Sequence, residues 1–507
     1  MALNTLDDKY KEQFELRQQT RAAIAGKYEV VKQVTCLPAP QYKVYDSYSD
    51  MSKEAHAQAI RCNRANAIRI ADYWARGRWL PATGRTFETS SGMVWSKEPE
   101  PDIQRDLEFL NDNADGTGCG LREVAQKTID RLIADARCGI LVDMPSSPTD
   151  KDGNRVKLTR AQNDSGEFLP KWIQYNADNI IYVRHSGGSK AIDEIRLVEL
   201  RSEKKNEFDY EDKTYIRRLI MIDGVYHNQL FNDKDELLSD VPPVANGKFL
   251  TEIPFQFFGA DDNSAEYSKL PLYELGNKNM GHFVLDCDNR SLLHRYSQGM
   301  TNIYVTDGNT FTDDNPNGLN VNGDGVNQFG PDDRVEILQL EAGTAIPEAM
   351  KVDVNDLVMS GAQFVTDSNA NETLGAKRID ANASVSSLKR IVFNTNDGFT
   401  QLFKWTAEFR GIVSTSTYKL NSDFITDDLT PEMINSHMAL VQGMILPAVT
   451  LNETARKAQL TDLSDEDIAK ELSNQSLLTG GTSEEQASLQ AKLDAALEEL
   501  EALKAAE

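Results

Sequence analysis

The stretch LYELGNKNMGHFVLDCDNRSLLHRYSQGM, Leu272 to Met300, decides the fold. It reads as one long helical block that runs directly into the apolar Ile303-Tyr304-Val305. A second block, Glu348 to Phe364, opens behind Pro347, a favoured first helical residue, and puts Met350, Val354, Leu357, Val358 and Phe364 on one side. Between them lies Asp307 to Asp333, with six Asp and no Lys or Arg, followed by the strand-like Val335 to Leu340. A polar break, Thr366 to Asn382, precedes a third helix, Ala383 to Arg410, carrying Val385, Leu388, Ile391, Val392, Phe399, Leu402, Phe403 and Phe409. The first two helices carry more apolar positions than one subunit can cover, which predicts burial against further copies.

Upstream, residues 1–51 read as a peripheral arm with a charged helical start, Asp7 to Ala25. From Ser52 to Arg76 apolar and small residues recur at helical spacing, ended by Gly77 and Pro81. Leu121, Val124, Ala125, Ile129, Leu132 and Ile133 form the buried stripe of an amphipathic helix that Gly139 is expected to end, with Ile140 to Val142 as a short buried strand. Further strands are expected over Trp172–Tyr175, Ile180–Arg184, Ile192–Leu200, Tyr215–Ile222, Gly224–Leu230 and Ile253–Gly259, with Asp223-Gly224 as a hairpin turn. Residues 461–507 hold twelve acidic and three basic side chains; beyond Gly480-Gly481 the leucines read as a coiled-coil-like appendage.

A chain of 507 residues suggests roughly three domains or one large elaborated subunit. Lys plus Arg number 54 against 79 Asp plus Glu, a net charge of −25, which disfavours tight gripping of nucleic acid through its phosphates. An acidic wall does suit a conduit through which DNA slides. Five scattered cysteines, none in a CxxC pair, indicate neither a disulfide framework nor a zinc knuckle. No apolar run approaches the ~18 residues of a membrane span, and the charged N-terminus is not expected to be a signal peptide.

Little here carries chemistry. No GxxxxGK[ST] phosphate loop occurs, so no ATP-driven motor is expected. Gly116-x-Gly118-x-Gly120 lacks the preceding strand and full spacing of a dinucleotide loop and reads as a helix entrance. Asp313 to Asp324 has calcium-loop spacing, but Asp replaces the bidentate Glu and Pro316 intervenes; a polar loop is the competing reading. His282 and Asp286, one helical turn apart, are expected to be subunit-contact or solvated residues, with metal binding as the alternative.

The order of elements and several local phrases resemble the portal proteins of tailed bacteriophages. WARGRWLPATGRTFETSSGMVWSKEPEP (Trp74–Pro101) resembles the opening of a portal wing, and GILVDMP (Gly139–Pro145) its Gly-x-Leu-Val-Asp-x-Pro ending. Ile253-Pro254-Phe255 resembles the strand before the first stem helix, Trp405 the end of the spine helix, and Leu420 to Glu453 the C-terminal segment. The resemblance covers about residues 52–460 and implies an α+β portal fold. It implies an N-terminal arm (1–51), an α/β wing (52–265), a first stem helix (266–299), a small α/β clip (300–346) and a second stem helix (347–365). A tunnel loop (366–382), a spine helix (383–411), a helical crown (412–480) and an acidic tail (481–507) complete it. The long Asp/Asn-rich clip insert departs from the family pattern.

By the same resemblance the protein would form a ring of twelve at one capsid vertex of the virion and pass double-stranded DNA in packaging and ejection. Its partners would be the terminase large subunit, a head–tail adaptor, and the major capsid and scaffold proteins, with no cofactor, no membrane and no enzymatic activity. Other connector or minor capsid roles are the alternative, and an acidic metal-dependent hydrolase using Asp313, Asp324 or His282/Asp286 is the enzymatic one. Asn371, Glu372, Lys377 and Arg378 fall in the tunnel loop, where the two cations would touch phosphates transiently; two solvated charges on a surface turn is the competing reading.

Overall fold

The computed structural model describes, in the main, residues 8–33, 53–144, 169–186, 191–206, 209–245, 247–297, 300–304, 334–338, 343–360 and 374–422, with short stretches beyond. The chain divides into two compact units, Met1–Ser422 and Asp423–Glu507. In the second, residues 439–441 and 467–471 are helical.

The first unit opens with four helices: α1 (Asp8–Ala25), α2 (Lys27–Gln33), α3 (Lys53–Arg76) and α4 (Ala82–Val94). After β1 (Glu100–Asp102) and the short α5 (Phe109–Asp112) comes α6 (Leu121–Asp135). At its start Glu123 Oε2 accepts the Gly120 backbone N–H at 2.7 Å. The expected stripe is buried as read, but α6 ends earlier than Gly139. Ala136 takes a left-handed φ of 58° and its N–H caps the Leu132 carbonyl, so β2 (Arg137–Asp143) starts at once. Gly139 lies within that strand because the Phe255 ring occupies the space a Cβ would need.

β2 is the centre of a three-stranded antiparallel sheet between β11 (Phe255–Gly259) and β3 (Lys171–Asn176). A second antiparallel sheet runs in the order β4 (Ile180–His185), β5 (Ile192–Lys204), β6 (Tyr210–Ile222), β7 (Val225–Phe231) and β8 (Leu237–Val241). Asp223 and Gly224 both hold positive φ, 50° and 79°, the two-residue turn whose twist matches the strands it joins. β9 (Val244–Ala245) pairs with β10 (Lys248–Phe249).

Three elements then follow the order read from the sequence: α7 (Tyr273–Ser297), the hairpin of β12 (Met300–Tyr304) with β13 (Arg334–Leu338), and α8 (Ala345–Met359). The last long helix, α9 (Leu374–Arg410), begins at Leu374 rather than Ala383. β14 (Thr417–Lys419) pairs with β1, so residues expected to start a separate crown complete the first unit instead.

α6 and α9 pack side by side on one face of the three-stranded sheet, where Gln174 meets α6 and Trp172 meets α9, and β2 is buried on both faces. The core there is aromatic. Trp172 packs on Phe399 and Phe403 with ring centroids 5.6 and 5.3 Å away, and its indole N–H donates to Thr406 Oγ1 at 2.9 Å. Phe258 and Tyr418 close on Phe399 from either side.

The N-terminal helices are not a peripheral arm. α1 packs on α2, α4, α6 and α7, and its Arg17 and Arg21 reach Asp178, with Arg21 also on Asp135. The mixed charge of this segment conceals a buried side of Arg17, Thr20, Ala22 and Ala23.

Candidate functional site

The first half of α7 is built into the helices of the first unit by polar side chains that each have a defined task. Asn279, fully buried, donates through Nδ2 to the Leu80 carbonyl at 3.0 Å and to Thr83 Oγ1 at 3.1 Å. Asp286 Oδ2 accepts the Arg78 backbone N–H at 2.6 Å and Arg290 Nε at 2.7 Å. Asp288 accepts the Tyr73 hydroxyl at 2.9 Å. Around them Tyr73, Trp74, Trp79, Phe283 and Cys287 form an apolar cluster. Lys27 crosses its edge and donates to the carbonyls of Ala75, in the last turn of α3, and of Gly77 just beyond it, at 2.9 and 2.6 Å.

The electrostatics follow from this burial. The Cys287 thiol is pushed up to about 12 by burial and then by Asp286, so it stays protonated and unreactive at neutral pH. Burial raises the Tyr73 hydroxyl, and Asp288 adds to it. His282 is held below its usual range by burial, against the pull of Asp353 on α8 and of Asp286, and is neutral at pH 7.

His282 and Asp286 are therefore neither solvated nor available for subunit contact; they are 7% and 6% exposed inside their own chain. The Asp286 carboxylate is committed to Arg78 and Arg290. Among the described residues no group of three or more His, Cys, Asp or Glu could hold a metal ion. Asp313 and Asp324 lie outside the described residues, as do Asn371 and Glu372. Lys377 and Arg378 belong to the backbone of α9, close to its start, rather than to a loop.

Lys278 Nζ, in the first turns of α7, donates to Ser360 Oγ at the C-terminal end of α8, at 2.6 Å. The two helices thus run antiparallel, with the β12–β13 hairpin at the far end. At 1.5 Å per residue α7 spans about 37 Å. Its distal part is open: Leu293 is 50% exposed, Val352 on α8 is 58% exposed, and Tyr304 on the hairpin is also exposed. Among the described residues of α8, Leu357 is the buried apolar one, near the end that meets Lys278.

A family model described as a domain of unknown function, DUF4055, matches residues 271–410. The match begins just ahead of α7 and ends with the last residue of α9. No curated protein matches the chain. Two solved structures are similar over most of its length. A chain of the neck of a native GTA particle, computed with C12 symmetry, is 10% identical, with a TM-score of 0.37, covering 76% of this chain and 90% of that one. A chain of the neck of an empty GTA particle, computed with C6 symmetry, is 9% identical, with a TM-score of 0.38, covering 75% and 90%.

Away from α7, the second sheet carries a buried charge network that sequence reading did not find. Arg217 bridges Glu199 (2.5 Å) and Asp143 (3.1 Å), and Tyr175 donates to Glu199 at 2.6 Å. Burial opposes ionisation of Glu199, but Arg217, Tyr175 and Arg201 outweigh it and hold the carboxyl below its usual range. Glu194 is likewise lowered, by Arg218 and Arg196 acting against burial. Glu and Arg interspersed along β5, with Arg217-Arg218 on β6, were the available signal, but a single strand does not show which charges meet across the ladder.

Proposed function

We propose that this chain is a portal subunit that assembles with copies of itself into a closed ring around a DNA channel. The observation that carries the reading is the antiparallel pair α7 and α8, anchored in the wing at one end, capped by a two-stranded hairpin at the other, and followed by the long α9. A two-stranded hairpin on two half-bare helices has little stability alone. Side-by-side copies would cover Leu293, Val352 and Tyr304, and closed rotational symmetry buries every such face equally.

In this reading α7 and α8 are the stem, the hairpin is the clip that docks terminase and then a head–tail adaptor, and the ring holds twelve copies in the virion. The start of α9 faces the lumen, and Lys377 and Arg378 are basic points in an otherwise acidic channel, each making weak, screened contacts with passing phosphates. Ring formation is tested by light scattering and negative-stain microscopy of the purified protein at micromolar concentration and low salt. Rings with a central hole are expected; a strictly monomeric species overturns the proposal. The channel assignment is tested separately, by Lys377→Glu with Arg378→Glu, which should slow packaging and leave rings intact. Normal packaging by that double variant removes it.

A further inference from the structure

Helix α3 has one side packed and the other bare. Asn66 and Tyr73 are buried, and the Tyr73 hydroxyl reaches Asp288 on α7. On the opposite side Ile60 and Ile68 are 49% and 55% exposed, with Arg64 between them at four-residue spacing and Arg61 alongside, both exposed. Neither guanidinium is ion-paired among the described residues. The helix carries Lys53, Arg61, Arg64, Arg69 and Arg76 against Glu54 and Asp72, so it is basic in a chain of net charge −25.

α8 presents the complement. Glu348, Val352 and Asp356 follow one another at four-residue spacing on its exposed side, away from the buried Leu357. Lys351 lies to one side of that row. Eight residues of helix rise about 12 Å, so the Ile60–Arg64–Ile68 and Glu348–Val352–Asp356 rows are equally long. Apolar and charged positions are interchanged between them: a cation flanked by two isoleucines on α3, a valine flanked by two acids on α8. Rows of this spacing are the ridges that seat in the grooves of a facing helix.

We propose that the Ile60–Arg64–Ile68 face of α3 is a docking surface for a second copy of this chain, which lays the Glu348–Val352–Asp356 row of its α8 on it. Val352 then packs against the isoleucines, and Arg61 and Arg64 meet the two carboxylates. A nucleic-acid backbone would satisfy the arginines and leave both isoleucines wet, whereas the α8 row satisfies both. The two faces lie on different elements, so each copy gives α8 to one neighbour and receives α8 from the other, a head-to-tail contact that a ring closes. The inference rests on the ring reading above and names the surfaces that make its contact.

The test uses two charge reversals in the full-length chain, Arg61→Glu with Arg64→Glu and Glu348→Arg with Asp356→Arg. Ring formation is followed by light scattering and negative-stain microscopy, and folding by thermal melting. Each variant alone sets like charges against each other and should need at least ten-fold more protein to form rings, with an unchanged melting temperature. An equimolar mixture of the two should form rings again, because every contact in an alternating ring joins opposite charges. Rings that form as readily in either variant overturn the proposal while leaving the ring reading standing, also where the Arg61→Glu, Arg64→Glu rings no longer bind double-stranded DNA. A mixture that stays without rings overturns it as well. So does a lowered melting temperature in the Arg61→Glu, Arg64→Glu chain, which places a segment of the same chain on α3. Wild-type protein that is strictly monomeric removes the ring reading and this contact together.

Discussion

The two ends of α7 are made of similar residues in opposite circumstances. From Asn279 to Cys287 the helix is enclosed by α1, α3 and α4, and each buried polar group except His282 has at least one partner within the chain. From Leu293 onward it is open, as is most of α8 beside it. One helix can therefore be a folding element at one end and an assembly element at the other. Substitutions at the two ends should fail in different assays.

The largest effect is expected at the enclosed end. Phe283→Ala removes a fully buried ring between Trp74 and Trp79 and should cost about 3–5 kcal/mol, read as a lower denaturation midpoint. An effect on ring formation without loss of stability would dissolve the comparison. Asp286→Ala strands the Arg78 N–H and Arg290, and should cost about 1–3 kcal/mol in the same measurement. At the open end Val352→Asp should change folding stability by less than about 0.5 kcal/mol, since the site is solvated in one chain, but should abolish rings in light scattering. Intact rings in that variant would show that α8 faces solvent in the assembly.

Acidity sharpens the contrast more gently. His282 has a folded pKa below its unfolded value, so the unfolded chain binds the proton more readily; stability is lost as pH falls below about 6.5. Glu194 and Glu199 are also lowered, so their contribution is present above about 4.3 and disappears as pH falls further, through their folded values. His282→Asn should flatten the upper step and leave the lower one, in thermal melts across pH. The smallest effect is expected for deletion of residues 481–507, which should leave both melting and ring formation unchanged.

What could be read from the sequence divides along the same physical line. The stripe on α6, the Asp223-Gly224 turn and the long helices depend on local periodicity; they form as read, except that α9 starts at Leu374 instead of Ala383 and α8 ends at Met359 instead of Phe364. The early start of β2 at Arg137 depends on a left-handed Ala136, and Gly139 was misread as a helix stop because the Phe255 ring that requires it lies far along the chain. The clasp of α1 onto Asp178 and Asp135 was invisible for the same reason: charges at positions 17 and 21 look solvated until their partners are known. For the candidate site, the order of helix, strand-bearing polar insert and helix was legible, but the pairing of β12 with β13 was not. The task of Asp286, serving a backbone amide more than 200 residues earlier, was not.

β1 and β14 pair Glu100 with Lys419, so a short ladder closes a loop holding nearly everything between them. During synthesis the α7–hairpin–α8 segment leaves the ribosome before the strand that seals the first unit exists. Trp172 likewise waits for Thr406 and Phe399 before its pocket is complete. Loop closures over such separations are slow to nucleate. The sticky surfaces of a nascent chain therefore appear ahead of the scaffold that aims them, which makes the interval between their emergence and closure of the β1–β14 ladder the period of greatest exposure to misassociation.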